Sequence, residues 1–123
     1  LLETTALQEE LDASWVLKRL TDRGLEPDVT DAEKRYGRGM LEAVDSFEHG
    51  CAVGAHAEAM RLERIRAIVA DEDAPRDVRE TFKRILKDEV FHERAFRRLA
   101  GSRAMSDVKP SSDEGRELLG LEP

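Results

Sequence analysis

Residues 30–70, TDAEKRYGRGMLEAVDSFEHGCAVGAHAEAMRLERIRAIVA, carry the longest periodic apolar pattern in the chain. Thr30 and Glu33 have the spacing of a capping box, which indicates where a helix begins. Beyond them, one face recurs at spacings of three and four, as on an amphipathic helix: Leu41, Val44, Glu48, Cys51, Ala55, Glu58, Leu62, Ile65 and Val69. Because this stripe is unbroken, we predict one continuous helix over 32–70, although each glycine inside it costs about 1 kcal/mol.

A turn and a second long helix are predicted to follow. The acidic residues 71–73 precede Pro75, and proline is favoured at the first position of a helix. The next stripe again has helical spacing: Val78, Phe82, Ile85, Leu86, Glu89, His92, Phe96 and Leu99. Gly101 is the expected end of this helix. The two helices are therefore predicted to form a long antiparallel hairpin.

The hairpin is flanked by two other predicted segments. A first helix is expected over 4–23, and its apolar side is predicted to carry the following residues: Leu7, Leu11, Trp15, Val16 and Leu20. After Gly101 the chain is rich in Ser, Asp and Pro, which indicates a linker. We therefore predict a helical domain, 1–101, and a flexible C-terminal tail, 102–123, with a short helix expected only near its end.

Composition supports an all-α fold and excludes several functions. Charged residues make up 38% of the chain and aromatic residues only 5%, which favours helices with a solvated face over a β-sandwich. The net charge of −7 argues against nucleic acid as a partner. No apolar run approaches the roughly 20 residues that span a bilayer, so no membrane association is expected. The single cysteine, Cys51, excludes an internal disulfide framework and predicts a cytoplasmic location.

Three polar residues occupy apolar positions of the two stripes, namely Glu58, Glu89 and His92. A buried carboxylate is costly unless it is paired. Glu89 has no basic residue three or four positions away, and Glu58 has only Arg61. At 1.5 Å per residue from the turn, Glu58 and Glu89 lie about 18 and 20 Å along their helices, at matching heights, whereas Glu63 lies lower and points away. The three side chains are therefore predicted to point into the hairpin together.

The segment Asp88-Glu89-Val90-Phe91-His92-Glu93, with Glu58 about thirty residues earlier, resembles the second helix pair of the ferritin-like di-iron carboxylate proteins. Rubrerythrins and encapsulated ferritins are the most similar in pattern. The resemblance implies two irons, or manganese in their place, in each completed site. It also implies that Glu58 is a terminal or bridging ligand, that Glu89 bridges and that His92 completes one metal. The implied activity is oxidation of iron(II), or of a small substrate, by oxygen or peroxide.

This sequence supplies only half of such a site, because it contains one Glu-x-x-His pair. The other half is expected either from a second copy, in a homodimer with a four-helix core, or from residues that precede Leu1. A different interpretation also stays open. Glu58 and Glu89 would then be ordinary polar residues of a hydrated hairpin, paired with arginines, and the chain would be a non-catalytic dimerisation or docking module.

Four further residues are weaker candidates. Glu48 lies about 15 Å beyond Glu58, where an entry-site carboxylate or an interface residue would fit. His56 is flanked by alanines, Val53 and Met60, which predicts a packed histidine at a subunit contact rather than a ligand. His49, like His56, lacks an acidic residue three positions before it. Cys51 is expected in the core, because buried thiols behave as small apolar groups.

Overall fold

A computed structural model of the chain describes residues 2–122. The first residue of the predicted domain, Leu1, and the last residue of the predicted tail, Pro123, lie outside the described residues. Within 2–122 it contains four helices and no strand: α1 (Leu2–Asp22), α2 (Asp31–Glu42), α3 (Phe47–Ala70) and α4 (Arg76–Leu118). The all-α prediction is confirmed. None of these four helices combines the length and the apolar character that a membrane span requires.

Helices α3 and α4 form the predicted long pair and pack against each other. The turn between them is fastened by the Arg79 guanidinium, which donates to the Val69 carbonyl at 3.2 and 3.3 Å. Apolar residues of the two facing sides are buried between them: Cys51, Ala52, Ala55, Leu62, Ile65 and Ile85. Gly54 allows close approach, since a Cβ there would lie 3.2 Å from the Phe96 ring. This pair is the frame on which the other elements are placed.

The prediction of one helix over 32–70 is wrong. Helix α2 ends at Glu42, and α3 begins after Ser46, whose hydroxyl accepts a hydrogen bond from the His49 backbone N–H at 3.0 Å. A serine side chain satisfies an orphan N–H in this way and so favours a helix start over helix continuation. The break between α2 and α3 interrupts the predicted apolar stripe. Leu41, which was predicted on it, is 73% exposed.

The flexible tail predicted for 102–123 is helical as far as Leu118. Gly101 has φ 80° and ψ 163°, so α4 consists of two arms that meet at a kink there. The C-terminal arm packs through a narrow buried stripe at helical spacings: Ala104, Val108, Ser112 and Gly115. Ala104 and Val108 join Met40 and Cys51 in one apolar cluster. Small residues form this stripe, which is why its hydrophobicity pattern is weak.

Helix α1 is close to its predicted position in the chain, but only Trp15, Val16 and Leu20 of its predicted apolar side are half-buried. Leu7 and Leu11 are 67% and 49% exposed, although the sequence predicts them on the packed side. The buried residues of α1 are Thr5 and Asp12, while Trp15 is half-buried and stacks against the Arg84 guanidinium of α4. The most deeply buried side chains of α1 are therefore polar, and polar contacts help to orient α1 on the hairpin.

Candidate metal centre

A cluster of carboxylates and one imidazole lies where α1, α3 and α4 meet. Each member offers one ligand atom, and these atoms all lie within 4.8 Å of one another: Glu9, Glu58, Glu89 and His92. Three members are buried in the hairpin, with exposed fractions of 6% for Glu58, 1% for Glu89 and 0% for His92. The structure thus brings the three sequence-predicted residues together. Glu63 stays outside, in an ion pair with Arg116 at 2.9 Å.

The fourth member, Glu9, comes from α1 and was not predicted from the sequence. Its Oε1 lies 2.8 Å from Nδ1 of His92. The neighbouring residue, Gln8, places its Oε1 2.7 Å from Nε2 of the same ring. A signal was available, because Thr5, Gln8, Glu9 and Asp12 recur at helical spacing and define a polar face. The leucines on the other face, Leu7 and Leu11, instead predict that face as the packed one.

The contacts of His92 suit a metal ligand. Nδ1 of His92 lies 2.8 Å from Oε1 of Glu9 and donates its N–H to that carboxylate when no metal is bound, and Oε1 of Glu89 lies 4.0 Å away. A metal ion in the cluster would take the place of this proton, and Nε2–H would then donate to Oε1 of Gln8. Metal-binding histidines usually donate their other N–H to an oxygen in this manner, which fixes the tautomer and the ring orientation. Gln8 would therefore position His92 without binding a metal itself.

Arg61 lies on the same three carboxylates. Its Nη1 donates to Oε1 of Glu58 at 2.9 Å, and to Oε2 of Glu89 and Oε2 of Glu9 at 3.4 Å each. The alternative interpretation, in which an arginine pairs with the hairpin carboxylates, thus has direct geometric support. The arginine is Arg61 of α3, the one basic residue at helical spacing from Glu58.

One guanidinium does not neutralise three carboxylates. Within residues 2–122, Oε2 of Glu58 is buried without any hydrogen-bond partner. Burial raises the pKa of Glu58 to about 7, and although Arg61 opposes this shift, the Glu9 carboxylate adds to it. Glu58 therefore binds a proton near neutral pH unless a cation in the cluster takes the place of that proton.

A second unsatisfied carboxylate lies one turn away on α1. Both oxygens of Asp12 are buried, and no described residue offers them a hydrogen bond. Burial, followed by the nearby Asp88 carboxylate, raises the pKa of Asp12 to about 7. Asp12 and Asp88 can share a hydrogen bond only when one of them is protonated. When both are charged they repel each other, so a charged Asp12 weakens the contact of α1 with α4.

An apolar cleft of about 520 Å³ opens beside the cluster, between α1 and the hairpin. Glu9 and Glu89 line one part of it, and its apolar walls come from all three helices: Val16, Leu20, Ile65, Ile68, Phe82 and Ile85. Such walls limit access of bulk water and leave room for a small neutral molecule to reach the carboxylates.

The weaker candidates lie elsewhere. His49 sits between the carboxylates of Asp45 and Asp107, and these two neighbours raise its pKa. His56 lies 3.1 Å from the Met105 carbonyl oxygen, so it packs within the chain as a hydrogen-bonded histidine. Glu48 is exposed. Cys51 is buried, and its expected place in the core is confirmed.

Comparison of the chain with protein-family models, curated proteins and solved structures finds no match. The chemistry of the cluster is therefore argued from its own donors. Three carboxylates and one imidazole form a donor set that could hold a metal ion. The unpartnered Oε2 of Glu58 fits the same conclusion, because a buried anionic oxygen needs a cation or a proton donor.

Proposed function

We propose that this chain binds iron(II) through Glu9, Glu58, Glu89 and His92 and promotes its oxidation by oxygen or peroxide. The observation that carries the proposal is the convergence of three carboxylates and an imidazole within 4.8 Å, with three of the four groups buried. Manganese suits the same donors. The likeness of the hairpin motif to ferritin-like di-iron proteins supports the choice of iron and of oxidation as the reaction.

The residues around the cluster have distinct roles in this proposal. Iron bound here would supply electron transfer to the oxidant. Glu9, Glu58 and Glu89 offset a trivalent ion better than a divalent one, so the charge of the site favours the oxidised state. Gln8 holds the His92 ring in position. The apolar cleft gives a small neutral oxidant a route while restricting bulk water.

Iron titration of the purified protein tests this function. Iron(II) is added without oxygen, the bound metal is counted, and oxygen is then admitted while the absorbance of iron(III) is followed. Glu58→Gln should lose most binding and oxidation, whereas the matched control Glu63→Gln, on the same helix and paired with Arg116, should behave like the wild type. Full retention of iron by a Glu89→Ala, His92→Ala double variant would contradict the proposal.

We further propose that two copies associate and complete a ferritin-like four-helix core. The cluster has four donors within one chain, so a second copy would contribute a second metal rather than a missing ligand. Leu7 and Leu11, which are exposed on the outer face of α1, offer an apolar surface for association. Sedimentation with and without iron(II) measures this directly. A monomer under both conditions, near the protein concentration used for activity, would exclude the dimer.

A second candidate function is a helical docking module that binds no metal. The contacts of Arg61 with all three carboxylates favour it, because they give the cluster a purely structural purpose. The same iron titration separates the two candidates. A docking module would bind no iron at stoichiometric concentration, and Glu58→Gln would then change stability alone.

A further inference from the structure

Arg61 and a metal ion would compete for the same three carboxylates. Nη1 of Arg61 lies 2.9 Å from Oε1 of Glu58 and 3.4 Å from an oxygen of Glu89 and of Glu9. These are the three carboxylates of the proposed iron site. Arg61 holds one oxygen of each carboxylate, and Nδ1 of His92 faces the other oxygen of Glu9 and of Glu89. A guanidinium and a metal ion on the same three carboxylates would lie close together, and their repulsion makes each weaken the binding of the other.

The two sides of this contact differ in their freedom to move. The Glu58 and Glu89 side chains are 7% and 1% exposed, so they cannot turn away without opening the hairpin. The Arg61 side chain is 48% exposed. Its hydrogen-bond partners within residues 2–122 are the three carboxylates. A long, flexible side chain on the surface of α3 can swing into solvent, where water hydrates its charge.

We infer that Arg61 is a displaceable counter-cation: it neutralises the carboxylates in the metal-free chain and is expelled when a metal binds. This inference rests on the proposed function. It gives Arg61 a selective role, because an incoming ion must replace three charge-assisted contacts before it binds. That cost excludes ions that bind carboxylates weakly. In their absence Arg61 keeps the three carboxylates paired and ordered.

Linkage then predicts effects of opposite sign when the guanidinium is removed. In Arg61→Gln the metal-free fold loses the positive charge on its buried carboxylates, so its melting temperature should fall. The metal no longer competes with a resident cation, so its affinity should rise, by a factor of about 5–150 if the coupling is of ordinary size. A residue that only stabilised the fold would lower both quantities or leave metal affinity unchanged.

The test uses manganese(II) alone as the probe, because it does not oxidise during the titration. Unbound manganese is measured by electron paramagnetic resonance in the wild type, in Arg61→Gln and in a matched control, Arg64→Gln. Arg64 lies one turn further along α3, is exposed and makes no ion pair with the cluster. The expected result is tighter manganese binding and a lower metal-free melting temperature in Arg61→Gln, with little change in Arg64→Gln.

The outcomes separate this inference from the proposed function. Equal manganese affinity in the wild type and Arg61→Gln would overturn the inference and leave the metal site standing. Binding by Arg61→Gln but not by the wild type at the same concentration would support the inference strongly. Binding by neither protein would overturn both the inference and the proposed function.

A measurement on the wild type keeps the inference testable if Arg61→Gln does not fold. A dicarbonyl reagent modifies exposed arginines, and mass spectrometry of the digested protein locates the modified residues. Arg61 should react several-fold faster with manganese bound than without it, while Arg64 should react at one rate under both conditions. An unchanged rate at Arg61 under saturating manganese would overturn the inference.

Discussion

The α3–α4 hairpin and helix α1 are held in this fold by different forces. The hairpin buries apolar residues on both sides, such as Leu62, Ile65 and Ile85, and surrounds Glu58, Glu89 and His92 with them. Helix α1 instead turns Leu7 and Leu11 outward, and its buried residues, Thr5 and Asp12, are polar. Glu9 and Gln8 of α1 contact His92, and Arg23, directly after the end of α1, pairs with Asp77 at 2.6 Å.

The hairpin supplies three of the four proposed ligands, and α1 covers them and supplies the fourth, Glu9. Apolar burial fixes the hairpin whether or not a metal is bound. The contact of α1 depends on the charges at its interface, two of which, Asp12 and Glu9, face other carboxylates. A cation in the cluster would therefore stabilise α1 more than it stabilises the hairpin. Three predictions test this comparison.

The largest effect is expected from removing a core side chain of the hairpin. Ile85→Ala deletes a side chain that is 3% exposed and should lower the free energy of unfolding by about 2–5 kcal/mol. Leu11→Ala deletes a 49% exposed side chain of α1 and should change it by about 0.5 kcal/mol or less. Urea unfolding of both variants measures the contrast. Equal losses would show that α1 packs its leucines against something further, such as a second copy.

A smaller, pH-dependent effect is expected at Asp12. The unfolded chain releases this proton near the ordinary pKa of 3.8, and the folded chain releases it near about 7. Asp12 therefore costs stability as pH rises between these values. Asp12→Asn removes that cost and can donate its amide to Asp88, so it should be more stable than the wild type above pH 7, on the order of 1–3 kcal/mol, and similar to it near pH 4.

Thermal unfolding of Asp12→Asn and the wild type at pH 4 and pH 8 checks this prediction. Asp28→Asn, in the exposed loop before α2, is the matched control and should change little at either pH. A stability difference for Asp12→Asn that is the same at both pH values would show that the Asp12 carboxylate is not under electrostatic strain.

The smallest of the three effects is expected when the ligand from α1 is neutralised. Glu9→Gln keeps the shape of the side chain and removes its charge, so manganese affinity should fall at least about tenfold, because the loss of a direct ligand costs no less than the loss of an outer-shell partner. Glu10→Gln removes the same charge from the exposed side of α1 and should leave affinity unchanged. An affinity for Glu9→Gln equal to the wild type would confine the site to the hairpin.

The hairpin and the convergence of its polar residues were predictable from the sequence. Helical spacing placed Glu58, Glu89 and His92 on facing sides, and the count of residues from the turn matched their heights. The same count placed Glu63 outside, where it pairs with Arg116. Strong periodicity in two neighbouring segments constrains both faces at once, which is why this part of the prediction succeeded.

The remaining features depend on signals that hydrophobic periodicity does not contain. The start of α3 depends on one serine hydroxyl, Ser46, acting as a cap. The C-terminal arm of α4 packs through residues as small as Ala104 and Gly115, which a hydrophobicity pattern underweights. Glu9 was missed because α1 turns a polar face inward. The face of α1 that packs inward depends on the charged residues of the hairpin, and the sequence of α1 alone does not contain this information.

Crystallography with anomalous scattering at the iron edge tests the central claim most directly. Crystals of the protein with iron(II), handled without oxygen, should give one strong peak per chain. The peak should lie within bonding distance of Glu58, Glu89 and His92, with Glu9 as the fourth neighbour and the Arg61 guanidinium turned toward solvent. A cluster without an iron peak, with Arg61 still bound to Glu58 at saturating iron, would contradict the account.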